Sequence, residues 1–471
     1  MIRTHEAGAL HGAGDGPAWL LVPEDVNALL PALWPASTHK TDDGELHIAG
    51  LGVTSIAAQV GTPSLVVDEA DLRSRARAFR EAFTTAFAPL GGAEVSYAIK
   101  ALPTRAVVRW VGDEGLGLDV CTGGELGLAL SAGADPARIT FHGNNKSAEE
   151  IARALKAGVG KVAVDSLSEI PLWEAAAAAV NTVVNVLVRV RVGVEAHTHE
   201  YIATAHEDQK FGISLHDGSA AEAARRIAAS PHLVLSGFHS HIGSQVFDAA
   251  GFAEAIRRLV GLHAEVTREL GQAPPILGLG GGFGVAYTTG HDPLPPDQLA
   301  SQMARCLAGA CADHEIAPPR VCLEPGRAIA GPAGLTLYTV GTVKKVALPG
   351  GFDRLYVAVD GGMSDNIRTA LYSSDYSATL ASRRSTAPPV LARVVGKHCE
   401  SGDIIVKDEY LPADIAAGDL LAVPVTGAYC HSLASNYNLV PRPPVVAVND
   451  KALTVIVRRE TEDDVLARDQ G

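Results

Sequence analysis

The stretch VSYAIKALPTRAVVRWVGDEGLGLDV (95–120) contains two short apolar runs with an amphipathic segment between them. This pattern predicts a strand, a helix and a second strand. The same alternation extends to both sides, beginning at SLVVD (64–68). The eight strand candidates that alternate with helical segments are VSYAIK (95–100), LGLDV (116–120), RITFHG (138–143), KVAVDS (161–166), VNVLVRVRV (184–192), LVLSGFHSHIGS (233–244), PILGLGGG (275–282) and RVCLEPGR (320–327). Eight βα repeats over about 250 residues predict a (β/α)8 TIM-type barrel, which we assign to residues 65–330.

Polar residues and glycines stand at the C-terminal ends of these eight strands, where the active sites of such barrels form. They are Lys100, Asp119, His142, Asp165, Arg191, His241, Gly280–Gly282 and Glu324. A strand end is often polar simply because a loop begins there. Eight such positions on one rim nevertheless favour a functional interpretation.

The rhythm changes after residue 330, where β-branched runs are joined by Gly, Pro and Asp turns with little helix between them. This pattern predicts a C-terminal antiparallel β-domain over residues 331–471. Residues 1–64 are rich in Gly and Pro and include a possible hairpin, GELHIAGLGVTSIAA (44–58). We assign them as an N-terminal arm that joins the β-domain.

Composition excludes several classes of function. With 39 Lys and Arg against 53 Asp and Glu residues, the net charge of −14 disfavours nucleic acid as a partner. The six cysteines have no C-x-x-C pair, which fits a reducing cytoplasm and predicts no metal site. HTHE (197–200) is interpreted as a solvated turn. No secretory signal or membrane span is predicted, because charged residues interrupt the apolar stretches.

Lys100 lies at the mouth of an apolar strand, where a partly desolvated amine can form a Schiff base. Two glycine-rich strand ends, HIGSQ (241–245) and GLGGGFG (278–284), offer backbone N–H groups and a hydroxyl to a phosphate. EPGR (324–327) adds a carboxylate and a guanidinium at the eighth strand. A phosphate site, a Schiff-base lysine and an acidic partner for a ring nitrogen together predict a pyridoxal 5'-phosphate site.

The chain resembles the diaminopimelate decarboxylases, pyridoxal-phosphate enzymes of the alanine racemase-like barrel group, over roughly residues 55–460. The motifs that carry this resemblance, in the family's order, are YAIKA (97–101), DVCTGGEL (119–126), HSHIGSQ (239–245), LGGGFG (279–284), EPGRAI (324–329), DGGMSDNIR (360–368), LY (371–372), CESGD (399–403), GAY (427–429) and S-x-YN (435–438). The resemblance implies a homodimer with shared active sites. It also implies conversion of meso-diaminopimelate to L-lysine and carbon dioxide, the final step of lysine biosynthesis.

The resemblance also implies roles for individual residues. It makes Lys100 and Cys399 catalytic, as the Schiff-base lysine and the proton donor, with Cys399 acting across the dimer interface. The implied cofactor-binding residues are Lys100, Asp119, His241, Ser244, Gly281, Gly282, Glu324, Pro325, Gly326, Arg327 and Tyr429. The implied substrate-binding residues are Arg327, Arg368, Tyr372, Glu400 and Tyr429. Arginines suit the distal carboxylate of diaminopimelate and Glu400 suits its distal ammonium.

Three alternatives remain open at this stage. A related barrel decarboxylase would act on another basic or dicarboxylic amino acid, although Arg368 and Glu400 argue against plain diamines. A non-catalytic homologue would lack Lys100 or Cys399, and both are present. A racemase of the same barrel would need a second base and would lack the CESGD motif. The chain departs from the family pattern at Thr369 and at Gly396–His398, which affects loop rigidity and removes no functional group.

Overall fold

The computed structural model describes residues 16–193, 209–348 and 352–471, so the predicted turn at HTHE (197–200) lies outside the described residues. The chain forms two compact units. The β-domain unit comprises Met1–Leu72, Val285–Asp292 and Ile329–Gly471, and the barrel unit comprises Arg73–Gly284 and Pro293–Ala328. The domain boundaries predicted from the sequence, after residues 64 and 330, stay predictions.

The β-domain unit begins with three short strands, a helix and a fourth strand. These are β1 (His39–Lys40), β2 (Leu46–Ile48), β3 (Leu51–Gly52), α1 (Val53–Val60) and β4 (Ser64–Asp68). The predicted hairpin is confirmed for β2 and β3, which pair antiparallel. It is wrong for the second half of that stretch, which is helical, because Val53 and Ile56 lie one turn apart and are both buried.

The predicted (β/α)8 barrel is confirmed. Its elements in chain order are α2 (Glu69–Phe87), β5 (Ala93–Ala98), α3 (Arg105–Asp113), β6 (Gly117–Val120), α4 (Gly123–Ser131), β7 (Ile139–Phe141), α5 (Ala148–Ala157), β8 (Lys161–Val164), α6 (Ile170–Ala179), β9 (Val184–Arg191), β10 (Ile213–Ser214), α7 (Ser219–Ala229), β11 (Leu233–His239), α8 (Ala250–Leu270), β12 (Ile276–Gly280), α9 (Pro296–Asp313) and β13 (Arg320–Leu323). The parallel strands pair in the order β9, β11, β12, β13, β5, β6, β7, β8, and β8 pairs with β9 to close the barrel. The short β10 adds to β9.

The barrel strands are apolar and mostly buried along their length, because helices and neighbouring strands exclude water from both faces. Local signals set where the helices begin. At the start of α5, the Ser147 hydroxyl accepts the N–H of Glu150, and the Glu150 carboxylate accepts the N–H of Ser147. Within the described residues, no helix combines the length and hydropathy that crossing a membrane requires.

The elements after the barrel are α10 (Arg327–Ala330), β14 (Gly334–Leu348), β15 (Phe352–Val359), α11 (Arg368–Tyr372), β16 (Thr379–Leu380), β17 (Pro389–Val395), β18 (Ile404–Pro412), β19 (Leu420–Pro424), β20 (Val445–Asn449), β21 (Ala452–Val457) and α12 (Glu462–Leu466). One sheet runs in the order β18, β17, β15, β14, β4, β20, β21, and β19 pairs with both β14 and β16. SLVVD (64–68), which begins the alternating pattern in the sequence, thus pairs inside this sheet.

The prediction of a purely antiparallel β-domain needs one correction. Most pairings are antiparallel, but β15 pairs parallel with β17 and β4 pairs parallel with β20. Parallel neighbours need a long connection instead of a tight turn. Residues 360–388 supply such a connection between β15 and β17, and they carry the DGGMSDNIR motif.

Candidate active site

Glu324 lies at the centre of a buried cluster at the C-terminal rim of the barrel. It directly follows β13, and its side chain is buried. His239, the last residue of β11, places its Nε2 atom 3.1 Å from Oε2 of Glu324, at hydrogen-bond distance. His142 directly follows β7 and places its Nε2 atom 3.1 Å from Oε1 of Glu324. Both carboxylate oxygens therefore face an imidazole nitrogen.

The electrostatics of this cluster assign its charges. Burial favours a raised pKa for Glu324, but His239 and His142 outweigh it and hold the pKa well below its ordinary value. Burial likewise opposes the charge of His142. The carboxylates of Glu324 and Asp119 outweigh burial and raise the pKa of His142. The Asp119 Oδ1 atom lies 3.7 Å from the His142 Nε2 atom. Burial dominates at His239 and lowers its pKa. These shifts favour the ionised form of Glu324, and they favour a proton on His142 over one on His239.

Lys100 occupies a 3-10 turn, Ile99–Ala101, directly after β5. Its side chain is exposed, so the amine is reachable, but the desolvation expected from the sequence is not seen. Burial raises the pKa of Glu125, and it raises the pKa of Cys121 to about 12, while the charge of Lys100 acts against both shifts. Glu125 is a member of the DVCTGGEL motif for which no role was predicted, and it belongs to the electrostatic surroundings of Lys100.

The glycine-rich end of β12 makes close contacts that exclude side chains. A Cβ atom at Gly281 would lie 2.3 Å from the carbonyl oxygen of Glu324. Gly282 has a φ of +97°, and a Cβ atom there would lie 2.3 Å from the carbonyl oxygen of Gly243. Only glycine fits both positions without a shift of the backbone.

Three polar residues surround this glycine turn. The Arg327 Nη2 atom donates to the Ser244 hydroxyl at 2.7 Å, and Arg327 is buried. The N–H of Gly281 donates to Nδ1 of His241 at 3.1 Å. Burial and the charges of Lys100 and Arg189 hold the pKa of His241 well below its ordinary value, which favours a neutral imidazole.

The EPGR turn is fixed against the strand that precedes Lys100. The N–H of Ala98 donates to the carbonyl oxygen of Pro325 at 3.1 Å. A Cβ atom at Gly326 would lie 3.0 Å from both the Cβ and the carbonyl oxygen of Ala98. These contacts fix the position of the turn that begins at Glu324 relative to the turn that holds Lys100.

These barrel residues fit the chemistry of pyridoxal 5'-phosphate. A buried guanidinium beside a hydroxyl, next to a turn of obligatory glycines, suits a phosphate. An ionised, buried carboxylate suits a protonated ring nitrogen. An exposed lysine at the same rim suits a covalent attachment.

In the β-domain unit, Arg368 lies at the start of α11 and is buried with a relative exposure of 4%. Its Nε atom donates to the Tyr376 hydroxyl at 2.9 Å, and an Nη atom lies 3.3 Å from the Ser374 hydroxyl. The rings of Tyr287, Tyr372 and Tyr429 lie 5.3–5.7 Å from its guanidinium carbon. Among the described residues, no carboxylate forms an ion pair with Arg368.

A second group of contacts in the β-domain unit ties together the DGGMSDNIR, CESGD and S-x-YN motifs. Asp403 accepts the N–H of Met363 at 2.6 Å and the N–H of His398 at 2.8 Å. The His398 ring lies 2.8 Å from the Ser364 hydroxyl and 3.2 Å from the Asn438 side-chain oxygen. We call these five residues the loop knot. It sets the position of the loop that carries Cys399 and Glu400.

Cys399 and Glu400 are both exposed. Of the six cysteines, all of which lie in the described residues, Cys399 is the exposed one, while the others are buried or half-buried. Tyr429 is half-buried and has a φ of +69°, an uncommon conformation for a tyrosine. These three residues belong to the same compact unit as Arg368.

The sequence did not identify every residue of these clusters. His239 stands in the quoted motif HSHIGSQ, but its contact with Glu324 was missed, as was the role of Tyr376. Arg191 is the last residue of β9, as predicted, and donates to the carbonyl oxygen of Gln209 at 3.1 Å. The sequence did not identify Arg189, two residues earlier, whose Nε lies 3.7 Å from Oδ1 of Asp165.

Comparison with known proteins gives a consistent result. Residues 69–331 match the family model of the pyridoxal-dependent decarboxylases, pyridoxal binding domain. Diaminopimelate decarboxylase of Mycobacterium tuberculosis is 52% identical over 93% of this chain and 98% of its own length, and that of Bacillus subtilis is 42% identical over 92% and 97%. The crystal structure of diaminopimelate decarboxylase from M. jannaschii with L-lysine matches with a TM-score of 0.86 and 30% identity, over 93% of this chain and 98% of that one.

A lysine/ornithine decarboxylase from Vibrio vulnificus, complexed with cadaverine, also matches, with a TM-score of 0.69 and 25% identity over 84% of this chain and 97% of that one. Identity and structural similarity are both higher for the diaminopimelate enzymes. The chain therefore belongs to the diaminopimelate decarboxylase family of the pyridoxal-dependent decarboxylases.

Proposed function

We propose that this chain acts in the cytoplasm as a homodimer that converts meso-diaminopimelate to L-lysine and carbon dioxide with pyridoxal 5'-phosphate attached to Lys100. The family of the chain and the barrel-rim geometry support this proposal. The choice of substrate rests on a single observation in the β-domain unit: Arg368 is buried, and no carboxylate among the described residues forms an ion pair with it.

In the barrel unit, Lys100 would hold the cofactor covalently and Glu324 would pair with its ring nitrogen. Ser244, Gly281, Gly282 and the Gly326–Arg327 turn would hold the phosphate, with Pro325 fixing that turn. The remaining cofactor-binding positions are His241, which would stack on the ring, and Asp119 and Tyr429. When bound, the cofactor supplies an electron sink for the electron pair that carbon dioxide leaves behind.

Arg368 has the properties of a carboxylate-binding group. A buried guanidinium without a carboxylate partner in the described residues is costly unless a ligand supplies the charge. Diaminopimelate has a distal carboxylate that ornithine, lysine and arginine lack. We therefore assign Arg368, with Tyr372, to the distal carboxylate, and Glu400 to the distal ammonium.

The proton that replaces the lost carboxylate is assigned to Cys399. Its thiol would deliver a proton to the carbon of the D-configured centre. Cys399 and Glu400 are exposed in the single chain, which is consistent with their facing the site of the partner subunit. On this proposal an active site is complete only in the dimer.

Product analysis with competing substrates tests the proposal. Purified protein supplied with pyridoxal 5'-phosphate should release L-lysine and carbon dioxide from meso-diaminopimelate and should leave equal concentrations of ornithine and L-lysine unchanged. A visible absorbance that shifts when meso-diaminopimelate is added should accompany turnover. Release of putrescine or cadaverine at a higher rate than L-lysine would contradict the assigned substrate.

A further inference from the structure

The carboxylate of Glu324 is held from two sides by residues that have no role in the proposed function so far. His142 after β7 and His239 at the end of β11 approach opposite oxygens, each at 3.1 Å. Their rings lie 4.7 Å apart, centroid to centroid, and all three side chains are buried. Three separate strands therefore converge on one carboxylate.

The two contacts differ in kind. The His239 contact is a hydrogen bond, so His239 fixes where the carboxylate points. The Nε2 atom of His142 is equally close but is not aligned for a hydrogen bond, so His142 acts through its charge. Asp119, 3.7 Å from the same nitrogen, helps to keep His142 protonated.

The other charged groups around the cluster are less well placed than His142 and His239 to act on Glu324. Arg189 on β9 acts on Glu324, His142 and His239, but its closest carboxylate is that of Asp165, 3.7 Å away. The remaining titratable neighbours are His241, which is neutral, and Cys322 on β13, whose pKa burial raises well above its ordinary value. His142 is therefore the cation closest to Glu324 among these groups.

We propose that His142 and His239 are positioning residues for Glu324: His142 keeps the carboxylate ionised, and His239 aims it at the ring nitrogen of the bound cofactor. This inference rests on the proposed function. With Glu324 held as the anion, the shared proton stays on the ring nitrogen, and the ring remains a strong electron sink. Without His142, the carboxylate would compete for that proton.

The test compares four single variants of the full-length protein: His142→Gln, His239→Gln, His239→Leu and His263→Gln. Glutamine keeps an N–H donor near the position of Nε2 but cannot carry charge, and leucine keeps neither. His263 is the matched control, because it is another buried histidine of the barrel unit and contacts the carbonyl oxygen of Pro274 at 2.7 Å. Each protein is reconstituted with ring-nitrogen-15 pyridoxal 5'-phosphate.

The nitrogen-15 chemical shift reports the protonation of the ring nitrogen, and the affinity of the apoprotein for the cofactor is measured beside it. In the wild type and in His263→Gln the nitrogen should stay protonated between about pH 6 and 9. In His142→Gln it should lose its proton within this range, and kcat should fall about ten- to a hundredfold with KM nearly unchanged. His239→Leu should weaken cofactor binding by a similar factor, and His239→Gln should restore most of it.

Several outcomes would overturn the inference. A folded His142→Gln protein with a fully protonated ring nitrogen, or a folded His239→Leu protein that binds the cofactor as tightly as the wild type, would refute it and leave the proposed function standing. A wild-type protein that forms no covalent adduct at Lys100 would refute the proposed function itself. The three side chains also offer ligand atoms within 4.8 Å of one another. Stoichiometric zinc binding by the apoprotein that His142→Gln abolishes would assign the cluster to a metal instead.

If His142→Gln does not fold, infrared spectra of the wild-type apoprotein provide an independent test. The spectrum of Glu324→Gln is subtracted to isolate the Glu324 carboxyl group. No protonated-carboxyl band should appear on lowering the pH from about 7 to 5, because His142 and His239 hold the pKa of Glu324 well below its ordinary value. A band that appears within this interval would contradict the inference.

Discussion

Glu324 of the barrel unit differs from two buried carboxyl groups of the β-domain unit, Asp365 and Glu409. In the barrel, His239 and His142 face Glu324, and its pKa is held well below the ordinary value. In the β-domain unit, burial raises the pKa of Asp365 and of Glu409 to about 7, and their partners are backbone N–H groups, a tyrosine hydroxyl and a serine hydroxyl. At Glu324 the two imidazoles outweigh burial, whereas at Asp365 and Glu409 burial outweighs the hydrogen bonds from neutral donors.

The two units also place their functional side chains by different means. The barrel presents Lys100 and Glu324 directly at strand ends, so the closed sheet itself fixes their positions. The β-domain unit presents Cys399 and Glu400 on a loop whose position depends on the loop knot. A defect in the barrel should therefore affect chemistry directly, whereas a defect in the loop knot should act through loop order.

The largest effect is expected when one catalytic group is removed from each unit. Lys100→Ala and Cys399→Ala should each reduce activity to near background, because one loses the cofactor attachment and the other the proton donor. Mixing the two variants under subunit exchange tests whether Lys100 of one subunit acts together with Cys399 of the other subunit. If sites are shared, half of the dimers are mixed and each has one intact site, so about a quarter of wild-type activity should return.

Mass spectrometry of the mixture checks that exchange has occurred. If Cys399 serves its own subunit, every site in the mixture lacks one group and activity stays at the parental level. That result would contradict the shared site and leave the decarboxylase assignment standing.

Removal of Arg368 should have the next largest effect. Arg368→Ala should raise KM for meso-diaminopimelate by a factor that corresponds to about 2–4 kcal/mol, because a charged, bidentate contact to the distal carboxylate is lost. Steady-state kinetics measure this change. Arg368→Lys keeps the charge but loses the planar fork, so its KM should lie between those of wild type and Arg368→Ala. An unchanged KM in Arg368→Ala would show that the distal carboxylate binds elsewhere.

The sequence predicted the barrel well because its signal is local. Each apolar run such as KVAVDS (161–166) ends in a polar residue, and the repeat of strand and helix fixes the neighbours of each strand. The omission of Arg189 on β9 has a physical cause. Arg189 and Arg191 point to the same side of the strand but lie about 7 Å apart along it, and the sequence does not show how deep each one sits.

The contacts of the clusters could not be predicted in the same way. His142, His239 and Glu324 are separated by more than 80 residues, and only barrel closure brings their strands together. The parallel pairing of β15 with β17 was missed because short strands joined by turns favour an antiparallel interpretation. The loop knot was missed because two of its four contacts go to backbone N–H groups, which carry no sequence signal, and the other two join side chains more than 30 residues apart.

The loop knot should show a smaller effect than the substrate arginine. Asp403→Asn replaces one acceptor oxygen by a donor group, so one of the two backbone contacts is lost and the loop with Cys399 becomes less ordered. We expect kcat to fall about tenfold, the value of one charged hydrogen bond, with little change in cofactor absorbance. Asp419→Asn is the control, because Asp419 also accepts a backbone N–H in this unit, that of Ala416 at 2.9 Å. Equal losses of activity in both variants would assign Asp403 a purely structural role.

The smallest expected effect is a pH-dependent stability without a change in activity, at Glu409. Burial outweighs the hydrogen bonds from the N–H groups of Ala378 and Tyr410 and raises the pKa of Glu409 to about 7. Between about pH 4.5 and 7 the folded protein retains a proton that the unfolded chain has lost, so the free energy of unfolding falls as the pH rises. Glu409→Gln should remove up to about 3 kcal/mol of this dependence, measured as the urea midpoint of wild type and variant at each pH.

In the barrel, Glu222 has a lowered pKa because Arg226 and Arg225 pair with it, so Glu222→Gln should change the dependence with the opposite sign. Parallel pH profiles for the wild type and Glu409→Gln would show that Glu409 is ionised when buried, and the contrast between the two units would then fail at this residue.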